Sequence, residues 1–269
     1  MSRFLSVALL LSFALGMQAQ SQPKHEYFTT SDGIKIHYMT LGDKGSWVVL
    51  IHGYTDRAER MFFDTGIAQA VALKHRVVAL DNRNHGLSDK PSPNGAGRAE
   101  DVIELMDHLK IGKAHIHGYS MGGALTAQLL ASHANRFLTA SFGGSGIQET
   151  DATLRAKAAA MDKPMPEPQG AEAAEFQRLR ESAASLAKGT GKAPGPAPTP
   201  LAIDLKKVKV PVFAINGEFD SPHAKTERMA RELKKFQSVV IPGKNHIGAV
   251  IPPMPLYVES LTAFVNKND

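Results

Sequence analysis

The chain has 269 residues, 43% of them apolar and 21% charged, with a formal net charge of +5 and no cysteine. That length supplies one large core, so two independent domains are not expected. The basic excess does not mark a nucleic-acid binder, because Lys and Arg are scattered and the densest runs, Lys206-Lys207-Val208-Lys209 and Lys234-Lys235, carry no interleaved aromatics. Without cysteine there is neither a disulfide framework nor thiol chemistry.

Residues 1 to about 20 differ in composition from the rest. Arg3 gives a positive start, Phe4 to Leu15 is uncharged and apolar, and Met17-Gln18-Ala19 offers a small-residue exit. This is the pattern of a secretory signal, and the apolar run is shorter than the roughly 20 residues a membrane helix needs. The expectation is an exported chain, periplasmic or secreted, whose mature part from residue 21 has no membrane span. Next, Tyr27 to Thr30 and Ile34 to Thr40 flank Ser31-Asp32-Gly33 and read as a hairpin. Trp47 to Ile51 and Arg76 to Leu80 are compact apolar strands with an amphipathic helix, Arg57 to Leu73, between them. The alternation continues with a helix at Arg98 to Leu109, a strand at Ala114 to His117, a helix at Ala124 to Ala134 and a strand at Phe137 to Phe142. Strands at Val210 to Ile215 and Ser238 to Ile241 follow, with helices at Ala224 to Lys235 and Leu256 to Val265. Apolar strands alternating with helices imply a mostly parallel eight-stranded sheet covered on both faces, with two antiparallel strands at its start.

One segment, about 147 to 205, breaks the alternation. It has no strand-like run and holds seven of the sixteen prolines. Helices are expected near Ala152 to Met161 and from about Ala171 to Lys188, where Phe176, Leu179, Ala183 and Leu186 keep helical spacing. Gly189 to Pro200 reads as an extended tether. The apolar stripe needs a surface to cover, which suggests a small helical lid over a pocket.

Gly118-Tyr119-Ser120-Met121-Gly122 falls between the strand at Ala114 to His117 and the helix after it, where a sharp turn would lift the Ser120 hydroxyl out of the sheet. A serine hydroxyl is a poor nucleophile at neutral pH and needs a base, with an acid to hold that base in the right tautomer. Asp220, in Asn216-Gly217-Glu218-Phe219-Asp220, and His246, in Gly243-Lys244-Asn245-His246, each follow a late strand at the carboxyl edge of the sheet. Loops at that edge converge over the site where ligands bind. Glu218 is the rival acid, with Glu149 and Asp151 more remote. His52, His85 and His117 sit at strand ends or in a loop and are expected to be structural. The oxyanion of acyl transfer needs preorganised backbone donors. The amide of Met121, after the nucleophile, and that of Tyr54, after His52-Gly53, are the candidates. No H-E-x-x-H is present and the Gly118 to Gly123 turn lacks a phosphate-loop lysine, so neither a metal nor a phosphate site is expected.

With these motifs in register, the chain resembles the α/β-hydrolase family across nearly all of its mature length, least so over the insertion. Asp81-Asn82-Arg83-Asn84-His85-Gly86-Leu87-Ser88 is similar to a family loop, Asn84 standing where a glycine is usual, in a variant seen in small carboxylesterases. The resemblance implies ester hydrolysis through an acyl-enzyme without a cofactor: Ser120 as nucleophile, His246 as base, Asp220 as orienting acid, and a small-molecule ester, short to medium in chain, as substrate. Lactonases, thioesterases, perhydrolases and carbon–carbon bond hydrolases use the same triad, and a binding protein could keep the pocket without the chemistry.

Overall fold

The computed structural model describes residues 22–91, 97–167, 169–170, 173–178, 180–181, 203–251 and 254–269. The expected signal segment, the tether from Gly189 to Pro200 and most of the expected helix from Ala171 to Lys188 lie outside them. The described strands are β1 (Lys24–Thr29), β2 (Lys35–Leu41), β3 (Trp47–Ile51), β4 (Arg76–Leu80), β5 (Ala114–Tyr119), β6 (Phe137–Gly143), β7 (Val212–Gly217) and β8 (Phe236–Ile241). They form one sheet in the order β1-β2-β4-β3-β5-β6-β7-β8. β2 pairs antiparallel with both β1 and β4, so β2 alone runs against the other strands. The remaining neighbours pair in parallel.

Among the described residues there are six α-helices, α1 (Ile67–Ala72), α2 (Ala99–His108), α3 (Met121–His133), α4 (Ala152–Ala159), α5 (Pro222–Glu232) and α6 (Pro255–Lys267), of which α4 packs against α5. Strand alternation feeds two cores. Val49 and Ile51 join Val102, Met106 and Leu129 from α2 and α3 on one face. Val48 and Leu50 join Ile67, Val71, Leu261 and Phe264 from α1 and α6 on the other. Burying both faces of β3 requires the continuous apolar run Trp47 to Ile51 rather than an alternating one.

Several element bounds depart from the sequence reading, two of them for a visible local reason. The amphipathic stretch from Arg57 to Leu73 is not one helix but a π-helical turn, Glu59–Phe63, followed by α1. Gly66 divides them at φ 77°, which glycine adopts without the β-carbon penalty. β7 begins at Val212 rather than Val210, since Pro211 has no amide to donate to a ladder.

Between β6 and β7 the described residues contain no strand, as expected; α4 and a helical stretch at 173–178 lie there. Asp151 caps α4 by accepting from the Leu154 amide at 2.8 Å. Asp162, beyond α4, accepts from the amides of His223 and Ala224 at 2.8 and 3.0 Å. It thereby serves orphan donors in the first turn of α5, whose own N-cap, Ser221, makes no side-chain bond.

Candidate active site

β5 runs two residues further than the sequence suggested, through Gly118 and Tyr119, and α3 begins at Met121. Ser120 alone makes the turn, at φ 53° and ψ −111°, a backbone conformation sparsely populated by residues with a β-carbon. The flanking glycines allow it: a β-carbon on Gly118 would stand 2.1 Å from the Gly122 carbonyl oxygen, and one on Gly122 would stand 2.0 Å from that of Ile51. The Ser120 amide donates to Gly143 O at 2.8 Å, tying the turn to the end of β6.

The loops after β7 and β8 bring Asp220 and His246 to this serine. His246 Nε2 lies 2.9 Å from Ser120 Oγ, and His246 Nδ1 lies 3.0 Å from both Asp220 carboxylate oxygens. A carboxylate can only accept, so Nδ1 carries the ring proton and Nε2 turns a lone pair toward the hydroxyl. Asp220 is buried, which shields the contact from water, while His246 is partly open to the pocket.

The other acids are engaged elsewhere. Glu218 accepts from the Gly243 amide at 2.8 Å and pairs with Lys163, and these contacts hold its carboxyl below the usual range. Glu149 pairs with Arg231 and accepts from the Thr150 and Asp151 amides. Asp151 is the α4 cap.

His52 shapes the loop after β3. Its Nε2 accepts from the Asn82 amide at 2.9 Å, so Nδ1 carries the proton and donates to Gly53 O at 2.7 Å. Burial pushes this ring below its ordinary pKa, keeping it neutral. In a trans peptide the carbonyl and amide point in opposite directions, so fixing Gly53 O toward His52 turns the Tyr54 N–H away from it. Met121 is the first residue of α3, and its N–H has no intrahelical acceptor. His117 bridges Ser141 Oγ at 3.0 Å and Tyr257 Oη at 2.8 Å, and burial lowers its pKa to about 3. His85 Nδ1 sits 3.0 Å from Arg83 O, and burial lowers its pKa to about 4. All three behave as structural histidines.

The loop after β4 is organised by Asp81. Its carboxylate accepts from the amides of Ala58 and Leu87, each at 2.8 Å, and faces His37 Nδ1 at 2.9 Å. Burial opposes the charge, but these partners hold Asp81 below the ordinary carboxylate range. A β-carbon at Gly86 would meet Asp81 Oδ2 at 2.1 Å. Asn84 takes φ 72°, the left-handed conformation that asparagine tolerates where glycine is usual.

Ser120, His246, Gly53 and Tyr54 open on a pocket of about 340 Å³, part of it open solvent, whose apolar wall is Met61, Ile247, Val250 and Ile251. Three contributors escaped the sequence reading. Met61 is aimed into the pocket by the π-helical turn, with its sulfur 3.4 Å from the Gly53 amide. Tyr119, the buried residue before Ser120, donates its hydroxyl to the His246 carbonyl. Lys225, on α5, contacts Asp220 Oδ1, an oxygen that also faces His246 Nδ1. No spacing rule signals any of these, although a Tyr directly beside the nucleophile is a position worth inspecting.

The chain belongs to the family described as the alpha/beta hydrolase fold, whose model matches residues 46–181. Among solved structures it resembles the meta-cleavage product hydrolase of Pseudomonas fluorescens (TM-score 0.69, 22% identity, 91% of this chain and 98% of that one). It also resembles naproxen esterase of Bacillus subtilis (TM-score 0.64, 20% identity, 90% and 91%). These likenesses concern the fold. In sequence it is 32% identical over 90 residues to Esterase YbfF of Escherichia coli, covering 33% of this chain and 34% of that protein. It is 40% identical over 87 residues to the dihydrolipoyllysine-residue acetyltransferase component of an acetoin cleaving system of Pseudomonas putida, covering 32% and 23%. The chain spans about a quarter to two fifths of the length of the first curated relatives it matches.

Proposed function

We propose that this chain is a serine hydrolase of small carboxylic esters, of short to medium acyl chain, working through an acyl-enzyme. The observation that carries the reading is the unbroken chain of contacts from Ser120 Oγ through His246 to Asp220 at 2.9 and 3.0 Å. Ser120 Oγ attacks the ester carbonyl while His246 Nε2 takes its proton. Asp220 keeps the Nδ1 proton in place and stabilises the imidazolium. The carbonyl oxygen, now an anion, is received by the amides of Tyr54 and Met121, each donor being worth about 3 to 4 kcal/mol in the transition state. Collapse expels the alcohol with the proton from His246. Water then enters, gives a proton to the same nitrogen and releases the acid, restoring Ser120.

The confined apolar wall of Met61, Ile247, Val250 and Ile251 favours short acyl groups. The insertion acts as a lid in this reading: Glu175, in its helical stretch, pairs with Arg60, which bonds Asp56 at 2.6 Å, and Asp56 lines the pocket. The first 20 residues export the chain, to be tested by the N-terminal mass of the protein recovered outside the cytoplasm. The deciding experiment is hydrolysis of p-nitrophenyl esters from acetate to palmitate, with Ser120→Ala as control. Turnover that falls with chain length and vanishes in the variant supports the proposal. A folded chain inactive on every ester yet active on lactones or carbon–carbon substrates would replace it with another triad hydrolase.

A further inference from the structure

The edge of the sheet away from Ser120 holds a cluster that the proposed chemistry does not use. His75 directly precedes β4, His115 is the second residue of β5, and Asp269 follows α6. Their donors, His75 Nδ1, His115 Nε2 and the Asp269 carboxylate, all lie within 4.8 Å of one another. The two rings are buried, at 2% and 1% exposure, while the carboxylate is open to solvent at 39%.

Each ring is held by its other nitrogen. His75 Nε2 lies 2.8 Å from Asn266 Oδ1, which only accepts, so that nitrogen carries the proton and Nδ1 presents a lone pair. Ser46 Oγ, 3.0 Å from Nδ1, is its present hydrogen-bond partner. His115 Nδ1 is 2.9 Å from Thr139 Oγ1. That leaves His115 Nε2 buried and, among the described residues, without a hydrogen-bond partner. Asp269 Oδ1 is 3.6 Å from it, too far for a hydrogen bond. An orphaned ring nitrogen turned toward a second imidazole and a carboxylate is a donor set short of an acceptor. A tetrahedral ion with ligand distances of about 2.0 to 2.1 Å needs its donors roughly 3.3 Å apart. The 3.6 and 3.8 Å separations of Asp269 oxygens from His115 Nε2 and His75 Nδ1 are close to that spacing.

We propose that His75, His115 and Asp269 bind one divalent transition-metal ion of the zinc class, with water completing the shell and with Asn266 and Thr139 orienting the two rings. Imidazole with carboxylate suits zinc better than calcium or magnesium, which prefer all-oxygen sites. The ion would staple the entry to β4, strand β5 and the end of α6, and it would take no part in chemistry at Ser120.

The test is zinc titration of the untagged full chain after chelator dialysis, by calorimetry and by thermal unfolding. The expected result is one zinc per chain and a melting temperature that rises with zinc, since binding to the folded state alone stabilises it. Asp269→Asn should weaken binding at least tenfold and His115→Gln should abolish the site. Asn266→Ala and Thr139→Val should each weaken it by about 10- to 100-fold although all three ligands remain. Ester turnover should be the same with and without zinc. No uptake at about 1 mM zinc, far above the dissociation constant of a built site, would overturn the proposal. Uptake unchanged by Asp269→Asn would also overturn it, placing the ion on others of the eleven histidines. Asp269 is exposed, so that variant keeps the test decisive even if His115→Gln does not fold.

Discussion

The two edges of the sheet are built differently. Each loop leaving the carboxyl ends of β3 to β8 carries a left-handed residue: Thr55, Asn84, Ser120, Gly144, Ser221 and Gly243. Four of these are not glycine, and a residue with a β-carbon held there stores about 1 to 3 kcal/mol. At the opposite edge the left-handed turns before β3 are glycines, Gly42 and Gly45, and Lys110 before β5 is the one non-glycine among the described residues. There the polar groups are buried histidines at strand entrances. Strain is concentrated where the loops converge on Ser120, and the opposite edge is largely relaxed.

The sharpest way to break this contrast is to remove the nucleophile or the base. Ser120→Ala and His246→Ala should each lower kcat by about 10⁴- to 10⁶-fold with the circular dichroism spectrum unchanged. Residual turnover near that of the parent would end the triad reading. Asp220→Asn should cost about 10⁴-fold by admitting the wrong imidazole tautomer, whereas Glu218→Gln should stay within a fewfold of the parent. The reverse ranking in kcat would move the acid to Glu218.

Acid should loosen the fold through its buried histidines. Burial holds His117 near pKa 3 and His85 near 4, against an ordinary 6.5, so below pH 6.5 the unfolded chain binds protons that the folded chain refuses. Their contribution is complete above pH 6.5 and is lost as pH falls toward those values. Urea unfolding should show stability dropping by up to about 5 kcal/mol between pH 7 and pH 4.5, with a shallower slope in His117→Gln. The smallest expected effect tests strain away from the reacting atoms. Ser221→Gly should raise stability by up to about 1 kcal/mol in the same assay, because Ser221 at φ 48° pays a β-carbon penalty that glycine does not. A loss of stability would mean that Ser221 is not strained.

The centre of the sheet was legible because strands such as β3 and β4 are continuous apolar runs, as a buried parallel sheet requires, whereas β1, exposed except at Phe28, was legible only through the Ser31-Asp32-Gly33 turn beside it. The grouping of Ser120, Asp220 and His246 was legible because each follows a parallel strand, β5, β7 and β8, at the carboxyl edge of the sheet. Helix breaks were less visible: Gly66 sits inside an otherwise periodic stretch, and only its left-handed φ divides the turn holding Met61 from α1. The hairpin turn made the antiparallel pairing of β1 and β2 legible, but where β2 joins the sheet is decided by packing. Tyr119 could not have been assigned, since the carbonyl it bonds lies 127 residues further on; Lys225 is only five residues from Asp220, but no spacing rule marks a lysine there as its partner.

Tyr119 has a further consequence. Its hydroxyl grips the His246 carbonyl, and the next residues, Ile247, Val250 and Ile251, form much of the apolar wall. His246 and much of the apolar wall therefore share one short segment anchored to Tyr119, the neighbour of Ser120. Under the proposed function, substitutions there that enlarge the substrate range also shift the proton acceptor, so new specificities are more accessible to evolution through Met61 and Tyr54, which line the same pocket from outside that segment.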